Sequence, residues 1–132
     1  RRVKQWLTSQ NLSFPEMVLD NGSGLSRHER IASASLTSLM VARLGMPDPY
    51  PWIDTLALAG LEGTVRKRLK DQQTVGRAWI KTGSLDDVRS VSGYALTDKG
   101  RWAVFTVFVN HPQAGLSKPV LDEFIQKLVS RY

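Results

Sequence analysis

From Arg101 to Val109 the chain reads Arg-Trp-Ala-Val-Phe-Thr-Val-Phe-Val. Side chains alternate between the two faces of an extended strand. Trp102, Val104 and Phe108 therefore fall on one face, and Ala103, Phe105, Val107 and Val109 on the other. A strand apolar on both faces belongs inside a sheet that is covered on both sides. Asp98-Lys99-Gly100 just before it predicts a tight hairpin to a preceding strand over Val91–Thr97. Arg77–Thr82, with Ala78, Trp79 and Ile80, predicts a third strand.

Helices supply the covering layers. After the last strand and a loop over Asn110–Leu116, Val120, Phe124, Leu128 and Tyr132 recur every four residues, with Leu121, Ile125 and Val129 beside them. That predicts a closing helix over Ser117–Tyr132 with one wide apolar stripe against the sheet. Val3, Trp6 and Leu7 predict a helix over Arg1–Gln10, ended by Asn11 and Ser13-Phe14-Pro15. Glu16–Leu19 is a strand candidate, and Asp20-Asn21-Gly22-Ser23-Gly24 must turn. A helix then runs to Leu44. It starts at Ser26, where Ser26 and Glu29 fit a capping box, or at Ser33 or Ser35. Gly45 stops it, and a proline-rich loop follows over 46–51. Trp52–Ala59 predicts a short helix ended by Gly60. Thr64 is placed to cap another through Lys70, before a polar loop over Asp71–Gly76. Helices, then three strands, then a closing helix predict an α/β (α+β) fold: an antiparallel sheet flanked by helices.

At 132 residues and 42% apolar, this is one small domain or a piece of a larger one. The net charge is +6, yet basic residues cluster only at Arg66-Lys67-Arg68-Leu69-Lys70. With no RNA-binding signature and no zinc-finger spacing, that run reads as a solvated face, and no nucleic-acid partner is expected. No apolar stretch is long enough for a transmembrane segment. His28 and His111 stand far apart without cysteine partners, so no metal is expected. Neighbours such as Asp86-Asp87 point apart, which argues against an acid/base pair.

The chemistry-bearing stretch is Trp79-Ile80-Lys81-Thr82-Gly83-Ser84. A strand is a rigid platform for a site. At the end of its apolar run come a cation, Lys81, a hydroxyl donor, Thr82, and Gly83, whose missing Cβ lets another backbone lie close. The next residue, Ser84, offers a backbone N–H that can serve as half of an oxyanion hole.

Lys81-Thr82-Gly83 is one of three motifs shared by penicillin-binding proteins and class A β-lactamases. Two more segments narrow the resemblance. Asp20-Asn21-Gly22-Ser23-Gly24-Leu25-Ser26-Arg27 resembles, with Asn21 extra or in place of a preceding residue, the Asp-Gly-Ser-Gly-Leu-Ser-Arg segment of the penicillin-binding protein 4 type D-alanyl-D-alanine carboxypeptidases, the S13 serine peptidases. Leu56-Ala57-Leu58-Ala59-Gly60-Leu61-Glu62-Gly63-Thr64 is similar to that family's Leu-Pro-x-Ala-Gly-x-Asp-Gly-Ser/Thr segment, departing at Ala57 and Glu62. All three stand in the family's order, and the resemblance covers nearly the whole chain. The family's Ser-x-x-Lys nucleophile motif is absent. Ser9-Gln10-Asn11 spells its Ser-x-Asn motif but lies too close to the Asp20 segment, and reads as a helix end.

The resemblance implies that residues 1–132 are the C-terminal portion of a β-lactamase/transpeptidase-like domain, lacking the nucleophile. It implies a periplasmic serine-type carboxypeptidase/endopeptidase as the full-length parent, acting on peptidoglycan stem peptides and acylated by β-lactams, without a cofactor. This chain alone is expected to be inactive. Lys81, Thr82 and Gly83 would hold the catalytic third motif. Lys81 and Thr82 would contact the substrate's terminal carboxylate, and Ser84 would give its N–H to the oxyanion hole. Leu25, Arg27 and Leu85 would line the pocket for the stem-peptide side chain. The alternatives are a β-lactamase-like hydrolase, disfavoured by the Ser-Gly-Leu-Ser-Arg and Leu-Ala-Gly segments, a non-catalytic module that binds peptidoglycan or a partner, and, third and weakest, a basic nucleic-acid binder.

Overall fold

A computed structural model describes residues 2–132. Helix α1 is Arg2–Ser9, within the expected span, whose first residue, Arg1, lies outside the described residues. Helices α2 (Ser33–Leu44) and α3 (Tyr50–Ile53) follow. Strands β1 (Ala57–Leu58), β2 (Ala78–Leu85), β3 (Val88–Leu96) and β4 (Trp102–Asn110) form one antiparallel sheet in the order β1-β2-β3-β4. Helix α4 (Lys118–Arg131) closes the chain. No helix among the described residues is long and apolar enough to cross a membrane.

Both faces of β4 are covered, as its composition requires. Ala103, Phe105, Val107 and Val109 join Ala78, Ile80, Val91 and Ala95 in the core beneath α4, which inserts Leu121, Ile125 and Val129. Trp102 and Val104 face the other way, against Tyr94, Trp79, Met40 of α2 and Ile53 of α3. Tyr94 ties this second layer together. Its hydroxyl donates to the Met40 carbonyl at 2.8 Å and accepts from Trp52 Nε1 at 2.9 Å. Gly100, at φ +71°, makes the predicted turn after Asp98-Lys99.

Several local expectations yield to tertiary contacts. Glu16–Leu19 is not a strand; only Val18 bridges to Arg30. The Ser26 capping box starts no helix, because the loop uses both of its side chains. Ser26 Oγ donates to Asp20 at 2.6 Å and accepts the His28 N–H at 3.0 Å, while Glu29 accepts the Asn21 N–H at 3.2 Å. Short polar side chains that bond nearby backbone draw it into turns instead of a helix. Helix α2 starts at Ser33, one of the alternative positions.

The helix expected over Trp52–Ala59 is confined to α3, since Ala57 and Leu58 pair with Ile80 and Trp79 of β2. The Thr64 helix shrinks to a single 3₁₀ turn, Gly63–Val65, and Leu69 at φ 55° blocks helical continuation. On α4 only the Leu121–Ile125–Val129 seam is buried; Val120 and Tyr132 are exposed. Strand β2 runs three residues beyond Thr82, to Leu85, and β3 begins at Val88 instead of Val91. Asp86-Asp87 is thus the turn of a second hairpin, with Leu85 opposite Val88.

Candidate functional site

The Lys-Thr-Gly segment lies inside β2 and at an edge of the sheet. Strand β1 reaches only as far as Ile80. The Ala78 carbonyl accepts the Ala59 N–H at 2.8 Å, so Ala78 turns its backbone groups toward β1. Alternation then aims the N–H and C=O of Ile80, Thr82 and Ser84 the same way. Beyond Ile80 no described strand lies there. Thr82 and Ser84 therefore present backbone donors and acceptors to any extended chain laid alongside.

The side chains divide between the two faces. Thr82 and Ser84 share the α4 face with Ala78 and Ile80, while Lys81 stands on the α2 face with Trp79. Lys81 is exposed, and its Nζ donates to the Thr82 carbonyl at 2.6 Å. Its charge thus sits at the free edge. Gly83 pairs with Ser90 across β3, and a Cβ at residue 83 would fall 2.4 Å from Ser90 Oγ.

Thr82 has a partner that sequence reasoning placed elsewhere. Thr64 Oγ1, read as a helix cap, lies 2.7 Å from Thr82 Oγ1. The Ala57–Thr64 and Lys81–Ser84 segments are thereby joined at one point. A clue lay in their family order, since both segments belong to the same resemblance. Beside this pair, toward α4, lies a cavity of about 310 Å³ whose walls include Thr64, Thr82, Ser84, Arg89 and Lys118.

On the α2 face a wider cleft of about 740 Å³ lies between the 17–31 segment and the β2–β3 turn. Arg27 and Leu85 both line it, with Met17 and Phe108 at its apolar walls. Leu25 is not part of its wall and stands 87% exposed. The structure thus brings Arg27 to Leu85 and leaves Leu25 outside. His28 lies 3.7 Å from Asp20, and His111 accepts the Gln113 N–H at 3.0 Å. Of the basic run, Arg68 is held by Asp122 and lines the α4-side cavity, while Arg66, Lys67 and Lys70 are exposed.

Comparison with known proteins identifies the family of the chain. Over 115 residues the chain is 31% identical to the D-alanyl-D-alanine carboxypeptidase DacB of Haemophilus influenzae, covering 86% of this chain and 24% of that protein. It is 26% identical over 135 residues to the D-alanyl-D-alanine carboxypeptidase of Actinomadura sp. (strain R39), covering 98% of this chain and 25% of the relative. The chain therefore spans about a quarter of these curated relatives. Among solved structures it superposes on penicillin-binding protein 4 of Haemophilus influenzae complexed with a β-lactam. The TM-score is 0.79 at 27% identity, covering 93% of this chain and 32% of that one. Residues 1–130 match the D-Ala-D-Ala carboxypeptidase 3 (S13) family. The chain belongs to that family of serine peptidases.

Proposed function

We propose that these residues form the C-terminal wall of the active site in a periplasmic serine D-alanyl-D-alanine carboxypeptidase/endopeptidase that acts on peptidoglycan stem peptides. The observation that carries this reading is the free edge of β2 at Thr82 and Ser84, next to the Lys81 ammonium. A stem peptide laid antiparallel to β2 would gain main-chain hydrogen bonds there. Its scissile carbonyl would meet the Ser84 N–H, one of the two donors an oxyanion hole needs.

The nucleophile would come from a Ser-x-x-Lys segment outside these residues. The serine would attack the carbonyl carbon as the lysine takes its proton, D-alanine would leave, and water would release the acyl-enzyme. Lys81 would steady the negative charge of the substrate's carboxylate, and Thr82 would donate to it. β-Lactams would acylate the same serine.

Arg27 and Leu85 would select the stem-peptide side chain. A cation gains nothing from the start of a helix, and here Arg27 sits instead on a loop wall of the α2-face cleft. A guanidinium can grip a carboxylate bidentately, as on a diaminopimelate side chain. Arg27→Ala should then reduce kcat/KM for diaminopimelate peptides far more than for peptides lacking that carboxylate. Equal losses would make Arg27 structural.

The reading as a whole is tested with fluorescent penicillin. The full-length protein should carry a covalent adduct on one serine by mass spectrometry and release D-alanine from a D-Ala-D-Ala peptide. The 132-residue chain should carry no adduct. A serine adduct on the short chain would overturn the assignment of the nucleophile. No adduct on the full-length protein would leave peptidoglycan binding without catalysis, for which the same strand edge suffices.

A further inference from the structure

Of the three segments that carry the family resemblance, Leu56–Thr64 has no part in the reading above, yet its turn is held in a fixed shape. Strand β1 leaves the sheet through Gly60, at φ +73°, where a Cβ would lie 2.9 Å from Val75 Cγ2 and 3.0 Å from the Leu69 carbonyl oxygen. Glu62 Oε2 accepts the Leu58 N–H at 3.1 Å, and the Gly60 N–H donates to the Val65 carbonyl at 3.2 Å. Val65 itself is buried. These contacts fix the 3₁₀ turn Gly63–Val65 and leave Thr64 exposed at its centre. A threonine in such a turn commonly bonds nearby backbone. Here no side chain caps the turn. The partner of the Thr64 hydroxyl among the described residues is Thr82 Oγ1, 2.7 Å away and 18 positions along the chain.

The pair has a polarity. Each hydroxyl has one proton and can accept two further hydrogen bonds. One proton lies between the two oxygens, so one threonine donates and the other keeps its proton free. The charged side chains on the adjoining cavity, Arg68, Arg89 and Lys118, are all cations. They donate and cannot accept. Their positive charge turns hydroxyl oxygens, not hydroxyl protons, toward the cavity. The Thr64 proton is therefore directed to Thr82 Oγ1, and the Thr82 proton is left for an acceptor outside the pair. We propose that Thr64 is a positioning residue of the peptide site: it donates to Thr82 Oγ1, holds the Thr82 side chain in place and polarises its hydroxyl as a donor to the bound peptide. Hydrogen bonds in such a chain strengthen one another. The role is exerted through Thr82 alone, and it rests on the reading that a peptide lies along β2 against that residue.

The test measures binding without turnover. A D-Ala-D-Ala peptide with a methylene in place of its scissile N–H, which cannot be cleaved, is titrated into the full-length protein by calorimetry. Thr64→Val keeps the side chain's shape and should weaken binding about fivefold; Thr82→Val should weaken it about tenfold. The double variant should bind like Thr82→Val alone, because Thr64 has nothing to orient once the Thr82 hydroxyl is gone. Thr64→Ser keeps the hydroxyl and should stay within about twofold of wild type. Thr64→Ala keeps the test open if valine disturbs the turn. Wild-type affinity in Thr64→Val and Thr64→Ala would overturn the proposal. So would losses that multiply in the double variant, since the two residues would then act independently. Serine as weak as valine would overturn it too, in favour of a packing role. Penicillin uptake by the wild type is read separately. Coupled binding without penicillin uptake would sink only the enzymatic reading; penicillin uptake with uncoupled binding would sink only the role of Thr64.

Discussion

Residue 93 has no space for a side chain, because the Trp79 carbonyl of the neighbouring strand occupies it. An ideal Cβ on Gly93 would lie 2.1 Å from the Trp79 oxygen and 3.1 Å from Ile80 Cα. These are backbone atoms of β2 immediately before Lys81, so they cannot move without moving the site. Gly83 differs. Its 2.4 Å conflict is with Ser90 Oγ, the end of a side chain that can rotate, while Ser90 Cβ is at 3.7 Å.

Gly93→Ala should therefore cost about 3 kcal/mol or prevent folding, the upper end of what overpacking exacts. Gly83→Ala should stay within about 1 kcal/mol of wild type, since rotation of the serine restores ordinary contact. Chemical denaturation of both variants decides it. Comparable losses at the two positions would refute the distinction between backbone and side-chain collisions.

Tyr94 makes the stability of the α2 layer pH-dependent. Burial raises its phenol above the ordinary value near 10, with the Trp52 hydrogen bond and the Arg43 charge pulling the other way less strongly. The folded state thus holds the proton more tightly than the unfolded one. The resulting stability is complete below about pH 10 and is lost as pH rises further. Tyr94→Phe should remove that alkaline loss. It should also cost about 1–3 kcal/mol at neutral pH, because the Trp52 N–H and Met40 carbonyl lose their partner. Denaturation midpoints of wild type and variant that fall in parallel above pH 10 would exclude Tyr94 as the titrating group.

Much of this architecture was legible because it is periodic. The two apolar faces of Trp102–Val109 require two covering layers, and α2 and α4 supply them. What was not legible depends on competition between equally plausible partners. Ser26 could cap a helix or bond Asp20, and only the folded loop brings Asp20 within 2.6 Å. Ala57 and Leu58 suit a helix end as well as a strand, and the open edge of β2 decides for the strand. Val120 and Leu121 both belong to apolar rows on α4, but only the Leu121 row is fully buried; of the other, Phe124 meets Phe105 edge-on and Leu128 is partly buried, while Val120 and Tyr132 are exposed. Val88-Arg89-Ser90 lacks the apolar alternation that marks a strand. The start of β3, and with it the approach of Arg89 to Ser84, was therefore hidden. The Lys-Thr-Gly motif was readable as residues, but its position on a free edge follows from the shortness of β1.

The cation nearest the core of the α4 side is held by one acid. Arg68 donates Nε to both Asp122 oxygens at 3.1 and 3.2 Å, with Nη2 at 2.5 Å from Oδ1. The two side chains are 13% and 22% exposed, so water compensates poorly for a lost partner. Asp122→Ala should cost about 2 kcal/mol, within the range for hydrogen bonds to charged groups. The double replacement Arg68→Met with Asp122→Leu should recover most of it, because neither charge is then left unmatched. Thermal unfolding of the two variants separates the outcomes. A double variant as unstable as Asp122→Ala would mean that the contact works through packing, not charge.

Lys81 should matter to reaction rate and hardly at all to stability. It is exposed, and among the described residues its ammonium donates to the carbonyl of the next residue, Thr82. Nothing in the core depends on that bond, so Lys81→Ala should leave the unfolding midpoint within about 0.5 kcal/mol of wild type. Its position is another matter. The ammonium stands at the free edge, above the backbone groups that would hold a substrate. A fixed charge beside developing negative charge in a partly dry cleft contributes a few kcal/mol, roughly 100-fold in rate. In the full-length protein the variant should therefore be acylated by fluorescent penicillin about 100-fold more slowly. Lys81→Arg should recover only part of the rate, since a planar guanidinium cannot reproduce the compact ammonium's contact with the Thr82 carbonyl. Acylation within twofold of wild type would reduce Lys81 to a solvated lysine on a strand edge.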